Sequence, residues 1–114
     1  MTDTVTIYHN PRCSKSRQTL ELLQANGVEP RVVDYLKTPP SAAELTEILA
    51  KLGKAPAEIL RAKEAAEAGV SKDLPADALI AAMAANPAVI ERPIVVKGDR
   101  ARLGRPPEQV LEIL

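Results

Sequence analysis

The sequence predicts an α/β fold, a mixed sheet of about four strands with helices. Three observations carry this. A strand, a helix and a second strand fall within the first three dozen residues. A helical, alanine-rich middle contains no strand signal. Near the C-terminus two strand-like runs flank a Gly-Asp turn and lead into a last helix.

Thr4-Val5-Thr6-Ile7-Tyr8 is a β-branched run that alternates polar and apolar side chains, the period of a half-buried strand. Ser16 to Gln24 is helix-forming, with Leu20 and Leu23 three apart, and Asn26-Gly27 is a helix stop. Arg31 to Leu36 then reads as a second strand, so the first third is a βαβ unit with parallel strands. Thr38-Pro39-Pro40 breaks the chain. Ser41 with Glu44 forms a capping-box pattern ahead of a helix faced by Leu45, Ile48, Leu49 and Leu52 and ended by Gly53. Short helical pieces follow around Pro56 and Gly69, then a helix opened by Leu74-Pro75-Ala76-Asp77, faced by Leu79, Ile80 and Met83, and closed at Asn86-Pro87. No flexible linker flanks these helices, so residues of about 41–88 are expected as an insertion within one domain spanning 1–114. Pro93 to Lys97 and Arg100 to Gly104, joined by Gly98-Asp99, form a hairpin signal. Pro106-Pro107-Glu108 starts a final helix whose buried face is expected to be Val110, Leu111 and Leu114.

Composition narrows the function. Fifteen basic and fifteen acidic residues cancel, so no overall field favours nucleic acid or an anionic membrane. Aromatic residues make up 2% of the chain, which leaves little for base stacking. The stretch Ala78 to Ile90 is broken by Asn86-Pro87 and too short to span a bilayer, and the N-terminus lacks a signal-peptide pattern. A cytoplasmic, monomeric protein is the expectation. The single cysteine excludes an internal disulfide and leaves an inert buried thiol, a reactive thiol or an intermolecular link.

That cysteine, Cys13, and the single histidine, His9, lie four positions apart in Tyr8-His9-Asn10-Pro11-Arg12-Cys13-Ser14-Lys15-Ser16-Arg17, where a strand should end and a helix begin. A free thiol with a pKa of about 8.5 is mostly protonated at neutral pH. Unpaired N–H groups at a helix start, with Arg12, Lys15 and Arg17 nearby, favour the thiolate. The same N–H groups, with the hydroxyls of Ser14 and Ser16, could cradle an oxyanion. The segment is not a phosphate-binding loop, because it lacks the glycines and the GK[ST] ending. Nor is it the CX5R loop of cysteine phosphatases, since Arg17 follows Cys13 by four positions. One His and one Cys are too few for a zinc site. Arg61, Arg92 and Arg105 each adjoin apolar residues or a proline. Guanidinium groups bind tetrahedral oxyanions in bidentate fashion. For each arginine alone a surface ion pair is the plainer role, and spacing does not bring the three to Cys13.

Together these residues resemble the glutaredoxin-coupled arsenate reductase family, a branch of the thioredoxin-like (glutaredoxin-like) fold. The match comprises the HX3CX3R pattern on His9, Cys13 and Arg17, and Asp34-Tyr35-Leu36-Lys37-Thr38-Pro39-Pro40. It continues through Ile59-Leu60-Arg61, Arg92-Pro93-Ile94-Val95-Val96 and Arg102-Leu103-Gly104-Arg105-Pro106. The resemblance implies that Cys13 attacks arsenate to form a covalent thiol–arsenate adduct and that His9 supports the thiolate. It implies that Arg61, Arg92 and Arg105 bind the oxyanion, with Asn10, Ser14, Ser16, Arg17 and cis-Pro93 in support. It further implies no bound cofactor, with glutathione as a co-substrate and glutaredoxin, or thioredoxin, as the electron donor. With one cysteine there is no internal resolving thiol, so reduction needs a thiol from another molecule. A thiol oxidoreductase of other substrate shares these features. So does an Spx-type transcription regulator that contacts RNA polymerase, although Ser16 occupies the second position of the CxxC such regulators often carry.

Overall fold

The computed structural model describes residues 4–114, and these divide into two compact units, described separately below. The first joins the N-terminal residues up to Tyr35 with Arg92–Leu114. It contains β1 (Val5–His9), α1 (Ser14–Ala25), β2 (Arg31–Asp34), β3 (Ile94–Lys97), β4 (Arg100–Leu103) and a C-terminal 3-10 helix (Pro107–Ile113). The four strands form one mixed sheet in the order β2-β1-β3-β4. β1 and β2 are parallel, while β1–β3 and β3–β4 are antiparallel. This is the α/β, thioredoxin-like architecture that the sequence predicts.

Register explains how remote segments reach the end of β1. Tyr8 lies opposite Ile94, so the residues just before β3 stand beside the residues just after β1. Ile94 in turn lies opposite Leu103, so the residues following β4 arrive at the same end. Arg92, Pro93, Gly104 and Arg105 therefore collect where Cys13 begins α1.

The core of this unit follows from two periods. Alternate side chains of β1 point to one face, and Val5, Ile7 and His9 are buried there. On α1 the buried residues are Ser16, Thr19 and Leu23, spaced three and four apart along one stripe. Val5, Ile7, Leu23, Val95, Val110 and Ile113 cluster, with Leu20, Leu22 and Val28 against them. Burying a side chain of this size stabilises by about 1.5–3 kcal/mol. The buried stripe of α1 thus changes from polar near Cys13 to apolar at its far end. The sequence pattern showed the leucines and missed Ser16 and Thr19.

The final helix departs from expectation. Its buried residues are Pro107, Val110 and Ile113, and Leu111 and Leu114 are exposed. The cause is the type of helix. A 3-10 helix has about three residues per turn, so positions 107, 110 and 113 eclipse one another. An α-helical reading instead places Leu111 and Leu114 with Val110.

The second unit, Leu36–Glu91, is all-helical apart from one isolated bridge between Leu60 and Ile90. Its α-helices are α2 (Ala42–Leu52), α3 (Ala62–Ala68) and α4 (Ala76–Ala85), with 3-10 turns at Pro56–Ile59 and Pro87–Val89. The capping box on α2 is complete: Glu44 N–H donates to Ser41 Oγ over 3.1 Å, and Ser41 N–H to Glu44 Oε1 over 3.5 Å. Gly53 ends α2 with φ of +69°, a left-handed conformation that glycine adopts without a Cβ penalty. Leu45, Ile48, Leu49, Ile59, Leu79, Met83 and Val89 are buried in this unit, whereas Ile80, expected on the apolar face of α4, is only partly buried. Among the described residues no helix is long and apolar enough to cross a membrane.

Candidate active site

Between β1 and α1 the chain reverses in four residues. Asn10 C=O accepts the N–H of Cys13 at 3.0 Å, and Asn10 Oδ1 accepts the N–H of Arg12 at 3.0 Å. Asn10 and Pro11 suit the first two positions of such a turn, since asparagine closes on nearby backbone and proline presets φ. Arg17 donates from Nη1 to Pro11 C=O over 3.0 Å, so it braces this loop from its far side. Ser14 opens α1 at the surface. Cys13 itself is the N-cap residue, extended at φ −92° and ψ 123°, and its carbonyl accepts the N–H of Arg17 to start the helix.

The sulfur is half-buried. Arg105 Nη2 donates to Cys13 Sγ over 3.7 Å, although 92 positions separate the two residues. Arg105 Nε also donates to the backbone carbonyl of Arg92 over 2.7 Å, which fixes the guanidinium plane. Arg92 hydrogen-bonds the sulfur with its own side chain. The sulfur makes no capping hydrogen bond of ordinary length, yet the N–H groups of Ser16 and Lys15 still favour its anion electrostatically. Burial pushes the thiol pKa up, but the Ser16 N–H, the Arg92 hydrogen bond, the Lys15 N–H and the Arg92 charge outweigh it. The net position is below the ordinary thiol value. Cys13 is therefore expected to react with iodoacetamide faster than free cysteine at neutral pH, with the rate profile displaced toward acid. A profile superimposable on that of free cysteine would contradict this. The sign for folding follows: the thiolate contributes stability above the ordinary thiol range, and this contribution disappears as pH falls through the lowered native value.

His9 is buried on the α1 side of β1. Its Nδ1 lies 2.6 Å from Ser16 Oγ, and the N–H of Asn10 donates to the same oxygen over 3.0 Å. Burial lowers the His9 pKa most; Asp34, its register partner on β2, raises it, and Arg17 lowers it, leaving it below the usual histidine range. Ser16 is fully buried. A buried polar group left without a partner costs about 1–3 kcal/mol, so this three-residue network holds the end of β1 to the start of α1.

Gly104 and Thr19, which sequence reading passed over, complete the support around Pro93, the proline that the resemblance singles out. The peptide bond preceding Pro93 is cis, as is that preceding Pro106. Gly104 donates its N–H to Pro93 C=O over 2.9 Å, and a Cβ at position 104 would run into Thr19 Oγ1 and come within 2.7 Å of Pro93 Cγ. Thr19 is held in turn, its Oγ1 donating to Lys15 C=O over 2.8 Å. The backbone of the residue before Arg105 thus lies directly against α1 and Pro93, an approach that only glycine permits. Gly104→Ala is expected to destabilise the protein by about 1–3 kcal/mol in urea denaturation. An unchanged midpoint would show that this contact is slack. A glycine between Leu103 and Arg105 was the available signal, but a sequence does not show what a glycine is pressed against.

Arg61 belongs to the second unit. Its N–H donates to Val89 C=O over 2.7 Å, and Glu91 N–H donates to Ile59 C=O over 2.7 Å, locking the two segments side by side. Its Nη1 contacts Glu91 Oε1 at 2.9 Å and its Nε lies 3.2 Å from Glu64 Oε2. Burial opposes the charge of Arg61, but the two carboxylates outweigh it and keep the group protonated. The structure thus joins His9, Asn10, Cys13, Ser16, Arg92 and Arg105 in one unit and holds Arg61 between carboxylates in the other.

Comparison with known proteins agrees with this constellation. A protein from Escherichia coli (strain K12) named uncharacterized protein YfgD is 56% identical, covering 100% of this chain and 99% of its own. An arsenate reductase from Neisseria meningitidis serogroup A is 45% identical over 96% of this chain and 97% of its own. The solved structure of an arsenate reductase from Vibrio cholerae is 51% identical, covers 100% of both chains and superposes with a TM-score of 0.90. The model of the ArsC family matches residues 8–113. With Cys13, Arg92 and Arg105 all inside that match, the chain belongs to the ArsC family.

Proposed function

We infer that this protein reduces arsenate to arsenite, with Cys13 as the nucleophile. The observation that carries the reading is the Arg105 guanidinium on the sulfur, with Nη2 at 3.7 Å, beside an Arg92 side chain that favours the thiolate by hydrogen bonding and charge. A thiolate alone would repel an arsenate anion; two arginines offset both charges and orient the oxygens. The 45–51% identity to two relatives named arsenate reductase, each covered over 97–100% of its length, supports the same conclusion.

Cys13 Sγ attacks arsenic, an As–S bond forms, and one arsenate oxygen leaves as water after protonation. The two electrons that take As(V) to As(III) come from two external thiols, which leave joined as a disulfide; hydrolysis of the remaining As–S bond returns Cys13 and releases arsenous acid. Overall one dihydrogen arsenate, two thiols and one proton yield arsenous acid, one disulfide and one water. The chain's single cysteine supports an external donor, and glutathione with glutaredoxin is the pair that the family resemblance implies. Phosphate has the same shape and charge, but thiols do not reduce phosphorus, so the electron-transfer step separates the two oxyanions. Arg61 enters this reading through the resemblance, as a third oxyanion ligand. A reducing compartment such as the cytoplasm suits a lone reactive thiol.

The test is a coupled assay. Purified protein with arsenate, glutathione, glutaredoxin and NADPH-dependent recycling is expected to oxidise NADPH in proportion to arsenate. Thioredoxin run in parallel identifies the donor. Absence of arsenate-dependent turnover with either donor would overturn the reading, and co-purification with RNA polymerase in that case would favour a regulator.

A further inference from the structure

We propose that Ser16 is a positioning residue that sets the state of His9. Its hydroxyl donates to Nδ1, holds the imidazole as the neutral Nε2–H tautomer, and ties the ring and Asn10 to the start of α1. Hydrogen-bond accounting around one oxygen carries this. Ser16 Oγ is 3.0 Å from the N–H of Asn10, which can only donate, so one lone pair of the hydroxyl is committed. The second neighbour is His9 Nδ1 at 2.6 Å. If Nδ1 carried a proton it would donate to the same oxygen, and the hydroxyl proton would need a third partner. Among the described residues Ser16 Oγ has these two partners and no other, and the side chain is fully buried. The arrangement in which every group is satisfied has the hydroxyl donating to a bare Nδ1, which leaves the ring proton on Nε2.

The surroundings agree. Burial opposes a second proton on the ring most, Asp34 from β2 is the group that favours one, and Arg17 from α1 opposes it. His9 then differs from a cationic counter-ion to the Cys13 thiolate. Arg92 and Arg105 supply the positive charge at the sulfur, and the ring acts through Ser16, whose own backbone N–H favours the thiolate. The side chain and backbone of one residue thus face the two members of the pair that the HX3C spacing places together. The inference concerns the free protein and is independent of which oxyanion it processes.

The chain has one histidine and one cysteine, so both readouts are free of overlap. In protein labelled with nitrogen-15 on the imidazole, NMR of the wild type at neutral pH is expected to show a bare Nδ1 and a protonated Nε2. A protonated Nδ1, alone or with Nε2, overturns the proposal without any variant. In Ser16→Ala the single tautomer is expected to give way to a mixture. Cys13 alkylation at neutral pH should slow by about threefold to tenfold, with its profile displaced toward alkaline pH. A Ser16→Ala protein with the wild-type ring spectrum would equally overturn it.

Discussion

Cys13→Ser is expected to remove arsenate-dependent NADPH oxidation, a fall on the order of a thousandfold or more, while the protein keeps its fold. The first effect is chemical. A serine hydroxyl stays protonated throughout the range in which the thiolate is present, and neither Arg92 nor Arg105 can ionise it. It also cannot take part in a sulfur–arsenic exchange that ends in reduction. The second effect follows from the site. Cys13 starts α1 with backbone groups, its carbonyl accepting from Arg17 and its N–H donating to Asn10, and these bonds do not involve the sulfur. At a half-exposed N-cap position serine is among the favoured residues. Unfolding in urea is therefore expected to change by no more than about 0.5 kcal/mol. Retention of arsenate-dependent turnover would remove Cys13 from the mechanism. Loss of turnover with loss of the folded state would leave it as a structural residue.

Arg105→Lys is expected to lower kcat/KM by about a hundredfold, although the formal charge is kept. Arg105 uses its Nε to hold the Arg92 carbonyl at 2.7 Å and its Nη2 to reach Cys13 Sγ at 3.7 Å. One planar group satisfies both at fixed geometry, whereas an ammonium on a flexible stem can reach one or the other. The thiol should also become less acidic, so alkylation at neutral pH should slow in the same variant. If Arg105→Lys matched wild type in both measurements, charge alone would account for the role of Arg105 and the fork geometry would be irrelevant. If alkylation slowed with turnover unchanged, Arg105 would serve the free thiolate and not the oxyanion.

These expectations rest on features legible to different degrees. The strand ending near His9, the helix opening at Cys13, the capping box on Ser41 and Glu44, and the hairpin around Gly98-Asp99 are all short-range patterns. Each is written within a few residues, because periodicity and turn chemistry act over those distances. The buried Ser16 and Thr19 were not legible. A helix stripe is recognised by its apolar members, and here its polar end is paid for by hydrogen bonds to His9, Asn10 and Lys15 that a residue pattern does not encode. The 3-10 period of the C-terminal helix is not legible for a related reason. Val110, Leu111, Ile113 and Leu114 are compatible with either helical period, and packing on α1 within this unit goes with the 3-10 choice that buries Ile113.

By itself the sequence determined that the protein has one thiol, that this thiol stands at a strand-to-helix junction among basic residues, and that any thiol redox cycle must draw a partner from outside the chain. Those conclusions need only counting and local pattern. Tertiary structure decided that Arg92 and Arg105 reach the sulfur. Arg92 and Arg105 do so because β3 runs antiparallel to β1, and β4 to β3, in registers that return both residues to the end of β1. Strand pairing is a long-range choice, and side-chain direction at the end of a strand depends on it. The sequence could propose the arginines, but the register of the sheet is what brings Arg92 and Arg105 to the end of β1 where Cys13 stands.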